Sequence, residues 1–345
     1  MLPKDDEDIS FLADLPLQPV EPLGFSPDRM VRCEQCLRAN PPTRLECLYC
    51  GHALPVSDAA STLVKPSLRP PEKWEQGYNC VLTKVPAEGL VNGSTDQVAS
   101  LLRLEVDDLL RIFGAERSLP LARTATQAEA AIIEQRLAAF GLETMIVSDE
   151  ALALEVSPPR RLRTLELNEQ GFLAYQIAGT EGTAVEWSAI TLVVTGRLFA
   201  RQMEFKERKR RSSEKEIVDS RETMTDEAVL DLYTKNQVGN WRITENNFDF
   251  SFLGDRKALF ARENFSTLTA LIRDRAPGAE HDDSYSRLRR CLELIWPSEQ
   301  QTESRGWHRD FRGRYGTSEV MVTNNESQFT RYSRLCHFLK TALVQ

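Results

Sequence analysis

Two Cys-x-x-Cys pairs, Cys33 with Cys36 and Cys47 with Cys50, fall within a segment of eighteen residues. Such a short piece has too few apolar residues to bury a core of its own. The spacing lets each pair bend two thiolates onto one tetrahedral ion, and zinc supplies the folding free energy that the segment lacks. Four sulfur ligands leave no open position, so Cys33, Cys36, Cys47 and Cys50 are expected to hold one structural zinc ion rather than a catalytic one. Chance pairing of cysteines is the plain alternative. Seven cysteines in 345 residues are too few for a disulfide scaffold, and Cys80, Cys291 and Cys336 are scattered. That usage fits a metal site in a reducing compartment.

The segment reads Cys33-Glu-Gln-Cys36-Leu-Arg-Ala-Asn40, then six residues, then Cys47-Leu-Tyr-Cys50. Residues 31–52 resemble a Ran-binding-protein type zinc finger, whose spacing is Cys-x-x-Cys, three residues, Asn, six residues, Cys-x-x-Cys. The resemblance implies that Asn40 steadies the loop between the knuckles, and that the partner is single-stranded RNA or a protein such as ubiquitin. Val31 stands where the family usually has Trp, and Leu37-Arg38 stands where ubiquitin binders carry Thr-Phe. A generic protein-contact finger and an RNA finger therefore both remain open.

The rest of the chain divides by composition and periodicity. Residues 1–30 hold seven acids against Lys4 and Arg29, with five prolines, and read as a disordered acidic tail. The finger occupies 31–54, and 55–76 reads as a Ser-, Ala- and Pro-bearing linker. Residues 77–149 are expected to form a small β-α-α-β-α-β domain. Its clearest element is a helix opened by Thr126 and Glu129, carrying Ala130, Ile133, Leu137 and Phe140 on one face, and closed by Gly141. The element order is similar to that of the C-terminal domain of the bacterial ribosomal stalk protein. That resemblance would imply contact with translation factors, but Arg103-Leu-Glu-Val-Asp-Asp108 is acidic and glycine-free where the family is Gly- and Lys-rich.

Residues 162–276 alternate apolar and polar positions in several short runs, with Ile190–Val194 and Leu198–Phe205 as separate strands. Phe248-Asp-Phe-Ser-Phe252 is expected to be a strand with one buried face, covered by a helix that begins near Asn264. This stretch resembles a bacterial pleckstrin-homology-like domain, an antiparallel sheet closed by a helix. With the next helix, which carries Tyr285, Leu288, Leu292 and Ile295, the unit extends over 162–296. Residues 297–324 read as poorly ordered, and 297–345 as a tail ending in an amphipathic helix. The expected class is thus α+β and multidomain.

Phosphate-loop, nucleophile-elbow and zinc-protease motifs are absent from the sequence. Cys336 and His337 are adjacent, which on a helix points them about 100° apart, a poor nucleophile–base pair. The basic run Lys206–Arg211 invites phosphate contact with lipid or RNA, but Glu204, Glu207, Glu214 and Glu216 dilute it. The arginine–aromatic mixture Arg305–Tyr315 suits RNA stacking or packing against a domain. No apolar run approaches the about 18 residues of a membrane span, and the N-terminus lacks the basic-then-apolar form of a secretory signal. The expectation is a cytoplasmic, non-enzymatic adaptor that binds protein partners, with an RNA- or ribosome-associated protein as the alternative.

Overall fold

The computed structural model describes residues 25–55, 68, 76–85, 90, 93–154, 158–177, 179, 181–209, 215–235, 240–309 and 315–342, with backbone alone at 206–209, 215–219, 305–309 and 315–318. The chain is mixed α+β and divides into two compact units, Met1–Lys65 and Pro66–Gln345. Most of the expected acidic tail and linker lies outside the described residues. Among the described residues, no helix is long and apolar enough to cross a membrane.

In the first unit, β1 (Val31–Arg32) pairs antiparallel with β2 (Ala39–Asn40). Its buried apolar residues are Cys33, Cys47 and Leu54. Two of these three are cysteines, so cysteine makes up most of this small core.

The second unit opens with β3 (Tyr78–Lys84), α1 (Thr95–Leu102), α2 (Val106–Phe113), β4 (Pro120–Thr124), α3 (Gln127–Ala139) and β5 (Glu143–Ser148). These elements follow the β-α-α-β-α-β order, and the strands form an antiparallel sheet in the order β4-β3-β5. At the start of α3 the Thr126 hydroxyl accepts a hydrogen bond from the Glu129 amide at 3.3 Å. At its end Gly141 adopts φ +86°, a left-handed conformation that suits glycine. Ala130, Ile133 and Leu137 are buried, and so is Ile132, because α3 is covered beyond its single stripe.

Next come β6 (Arg160–Arg161), then β7 (Thr164–Leu167), β8 (Gly171–Tyr175) and β9 (Thr183–Glu186), the last three forming an antiparallel sheet. β10 (Ile190–Lys209) and β11 (Lys215–Thr234) are twenty residues each and pair along their length. β12 (Trp241–Thr244), α4 (Ala261–Arg275), β13 (Glu280–Asp282), α5 (Tyr285–Ile295), β14 (Glu299–Arg309), β15 (Tyr315–Asn324) and α6 (Glu326–Ala342) complete the chain. The large sheet runs β14-β15-β10-β11-β12-β6, with β13 added alongside β10. The β6–β12 and β10–β13 pairings are parallel, so this sheet is mixed.

The inner halves of β10 and β11 are buried on both faces. Leu192, Val194, Val229 and Tyr233 join the core containing α5, α6 and the 77–149 elements. Val193, Leu230 and Leu232 join a second core with the β7-β8-β9 sheet and α4. Burial on both sides explains why Leu192-Val193-Val194 reads as an unbroken apolar run rather than an alternation.

Four expectations are corrected. Ile190–Val194 and Leu198–Phe205 are parts of one strand, carried through its polar residues by the ladders to β11 and β15. The described part of 297–324 is not disordered: β14 and β15 pair antiparallel on the sheet, and Gln300, Gln301, Thr302 and Glu303 are polar because they are exposed. The described residues of the expected tail 297–345 are therefore part of the body, and Phe329, Tyr332 and Leu335 of α6 are buried in it. Phe248–Phe252 is not a strand. Asp249 donates its amide to the Arg163 carbonyl at 2.7 Å, and the chain then enters a short 3-10 stretch, Ser251–Arg256. Phe248 and Phe250 are buried with Phe265, Leu268 and Ile272 of α4, as expected of the covering helix.

The fourth correction concerns 77–149 and 162–296, which read in the sequence as separate domains. They share one core, and buried polar bonds tie them together. Trp296 Nε1 donates to Asn79 Oδ1 at 2.8 Å, and from α6, beyond 296, the partly buried Arg331 Nη1 also meets Asp149 Oδ1 at 2.6 Å.

Candidate metal centre

The two cysteine knuckles have the same backbone construction. In the first, Cys33 N donates to Arg38 O at 3.0 Å and Leu37 N donates to Cys33 O at 2.9 Å. In the second, Cys47 N donates to His52 O at 2.8 Å and Gly51 N to Cys47 O at 2.9 Å. The residue four beyond each leading cysteine has positive φ, +56° at Leu37 and +72° at Gly51. The tight turn thus forces a left-handed residue in both knuckles, at a steric cost for Leu37 and none for glycine.

This construction brings all four sulfurs within 4.8 Å of one another. Cys33 Sγ lies 3.6 Å from Cys50 Sγ, and Cys36 Sγ lies 3.5 Å from Cys47 Sγ. Those separations are far beyond a disulfide bond of about 2.05 Å. They approach the sulfur–sulfur edge of about 3.8 Å expected when four ligands sit about 2.3 Å from a tetrahedral ion. Cys33 and Cys47 are buried, Cys36 is half-buried and Cys50 is exposed.

Asn40 is fully buried and joins the two knuckles. Its Nδ2 donates to Arg38 O at 3.0 Å and lies 3.5 Å from Cys47 Sγ, while its Oδ1 accepts from Leu48 N at 2.9 Å. Donors aimed at a sulfur favour its thiolate. Burial raises the Cys47 thiol, but the amides of Tyr49 and Cys50, with Cys36 and Asn40, outweigh it and bring it down to about 6. For Cys50, the His52 amide favours the thiolate. Burial and the three neighbouring sulfurs oppose it and push the thiol up to about 12. Four thiolates this close repel one another, and a divalent cation between them removes that repulsion. The donor set therefore fits a thiophilic metal such as zinc.

Three large apolar side chains next to the cysteines in sequence are exposed. Leu37, Leu48 and Tyr49 are 72%, 51% and 55% exposed. The Arg38 guanidinium lies over the Tyr49 ring at 4.7 Å. Leu37 follows the second cysteine of its pair, whereas Leu48 and Tyr49 lie between the two cysteines of theirs. The sequence carried that signal, although it pointed to Leu37 only as a departure from the Thr-Phe pattern.

The other sequence features belong to the second unit. Lys206–Lys209 lie in β10 and Arg210 and Arg211 lie outside the described residues. Arg305–Tyr315 spans the end of β14 and the start of β15, and residues 310–314 also lie outside. His337 stacks on Tyr233 at 4.3 Å rather than facing Cys336, and burial pushes the Cys336 thiol upward. No protein-family model, curated protein or solved structure matches this chain.

Proposed function

We propose that the chain is a non-enzymatic, cytoplasmic adaptor whose N-terminal finger, of the Ran-binding-protein type, is held by one zinc ion and docks on a protein partner. The observation that carries this reading is the exposed trio Leu37, Leu48 and Tyr49 beside a cluster of four cysteines. Large apolar side chains grouped on a small, otherwise polar module mark a contact surface. Asn40, bonded to both knuckles, supports the family assignment. None of the seven cysteines is joined in a disulfide, which suits a reducing compartment.

The test is comparative affinity capture with the full chain, with and without nuclease. The triple variant Leu37→Ser, Leu48→Ser, Tyr49→Ser keeps the four cysteines. Partners that survive nuclease and are lost from the triple variant support the adaptor. Partners retained by it overturn the proposed surface.

RNA binding is the second reading, favoured by the Arg38–Tyr49 pair, since arginine and tyrosine together stack on and neutralise single-stranded bases. In that case nuclease abolishes capture, and affinity for single-stranded RNA falls steeply with salt.

A further inference from the structure

The second unit contains a cavity of about 1200 Å³, lined by residues from the β9–β10 junction, the end of β11, the C-terminal end of α4, and α6. Ligand pockets commonly run about 300–1000 Å³, so a ring system fits with room to spare. The inner wall is largely apolar, with Trp187, Ile190 and Ala276 buried.

That wall also holds unmatched polar atoms. Trp187 Nε1, Thr234 Oγ1 and His337 Nδ1 are buried and have no hydrogen-bond partner. All three residues line this cavity. Folded proteins leave few such groups, and each calls for an explanation. An indole N–H only donates, so its missing partner is an acceptor, and a hydroxyl serves in either sense.

The remaining lining is charged. Lys235 and Arg275 are exposed there, and neither makes an ion pair among the described residues. Lys340 also lines the cavity, but its Nζ is held by Glu280 at 3.0 Å. Glu169 enters from the β7–β8 turn and Glu186 from the end of β9, where it accepts from Ser188 Oγ at 3.3 Å. The unpaired cations enter from β11 and from the end of α4.

We infer that this cavity is a binding site for a small organic anion with a flat apolar body. The body lies against Trp187 and Ile190, an acceptor atom meets the Trp187 indole N–H, and the acidic group is held by Lys235 and Arg275. A sulfonate, carboxylate or phosphate serves equally as the acidic group.

The test uses the full chain and anilinonaphthalene sulfonate, whose fluorescence rises in an apolar site. Binding is expected to saturate at about one molecule per chain. The double variant Lys235→Glu, Arg275→Glu changes only exposed side chains, so folding is retained. It should weaken binding by at least about tenfold, whereas a charge-matched control, Arg256→Glu, Arg262→Glu, should not. The neutral analogue phenylnaphthylamine should bind at least about tenfold more weakly than the sulfonate. Inorganic phosphate alone should displace neither probe. Trp187→Phe, which keeps the apolar ring, should weaken the sulfonate. The inference is overturned if binding does not saturate, if the pocket variant binds like the control, or if the neutral analogue binds as tightly.

Discussion

Asp231 on β11 and Arg242 on β12 face each other across the strand pair as a two-pronged ion pair, with Nε–Oδ1 at 2.7 Å and Nη2–Oδ2 at 2.8 Å. Both side chains are only 1% exposed. Arg242 Nη1 also donates to Thr330 Oγ1 of α6 at 3.0 Å, and its guanidinium lies over the Phe329 ring at 5.1 Å. Removing Asp231 leaves the buried Arg242 guanidinium with only the partly exposed Glu326 carboxylate, at 3.4 Å, as a charge partner. Asp231→Ala is expected to destabilise the second unit by about 3–5 kcal/mol, whereas replacing both partners, Asp231→Leu with Arg242→Met, should cost much less. Urea unfolding of the single and double variants measures the difference. A single variant as stable as the double would show that the pair is not buried as described.

Asp149 gives the pH dependence a sign. Burial raises its carboxyl, but the Arg331 and Arg123 guanidiniums outweigh burial and hold it below its ordinary value of 3.8. Gly77 N and Asn79 Nδ2 each donate to it at 3.0 Å, and Arg123 Nη2 also bonds it. The folded state therefore binds this proton more weakly than the unfolded state does. The stabilisation is complete above the unfolded pKa and is lost as pH falls through the lower, folded one. Urea midpoints between about pH 7 and about pH 3 should fall on the acid side, and Asp149→Asn should lower the neutral-pH midpoint and flatten that acid limb. An acid limb equally steep in the variant would assign it to other carboxylates.

Gly196 lies in β10 beneath two aromatic rings. A Cβ there would sit 2.7 Å from Tyr285 Cδ1 and 2.8 Å from Phe329 Cε2. Those rings pack edge to face at 5.0 Å, and Tyr285 Oη donates to Gln328 Oε1 at 2.8 Å, so neither moves freely. Gly196→Val should destabilise by about 1–3 kcal/mol through overpacking. Thermal unfolding checks this, and an unchanged midpoint would mean that the helices α5 and α6 stand off the strand.

For the finger, metal analysis of the purified chain should find about one zinc per molecule, and Cys47→Ser should lose it. Asn40→Ala keeps all four sulfurs but removes the bonds between the knuckles. Zinc affinity measured against a competing chelator should fall by about 10–100-fold. Full occupancy in Cys47→Ser would refute the site, and undiminished affinity in Asn40→Ala would refute the role of Asn40.

What could be read from the sequence was local. The four cysteines and Asn40 fall within eighteen residues, and the two halves of the α3 cap, Thr126 and Glu129, are three apart, so in each case the spacing carries the geometry. The elements of 77–149 were legible for the same reason.

The tertiary structure decided the rest. β10 continues through Arg201, Glu204 and Lys206 because β15, more than a hundred residues away, completes its ladder. No property of those residues announces that partner. The Phe248 and Phe250 rings are buried as their pattern suggests, but their backbone is turned aside by a bond to the distant Arg163 carbonyl. Asp149 and Asp231 look in sequence like any surface acid. Only the converging strands and helices bury them, and burial makes their arginine partners indispensable, because an isolated charge is far costlier inside the protein than in water.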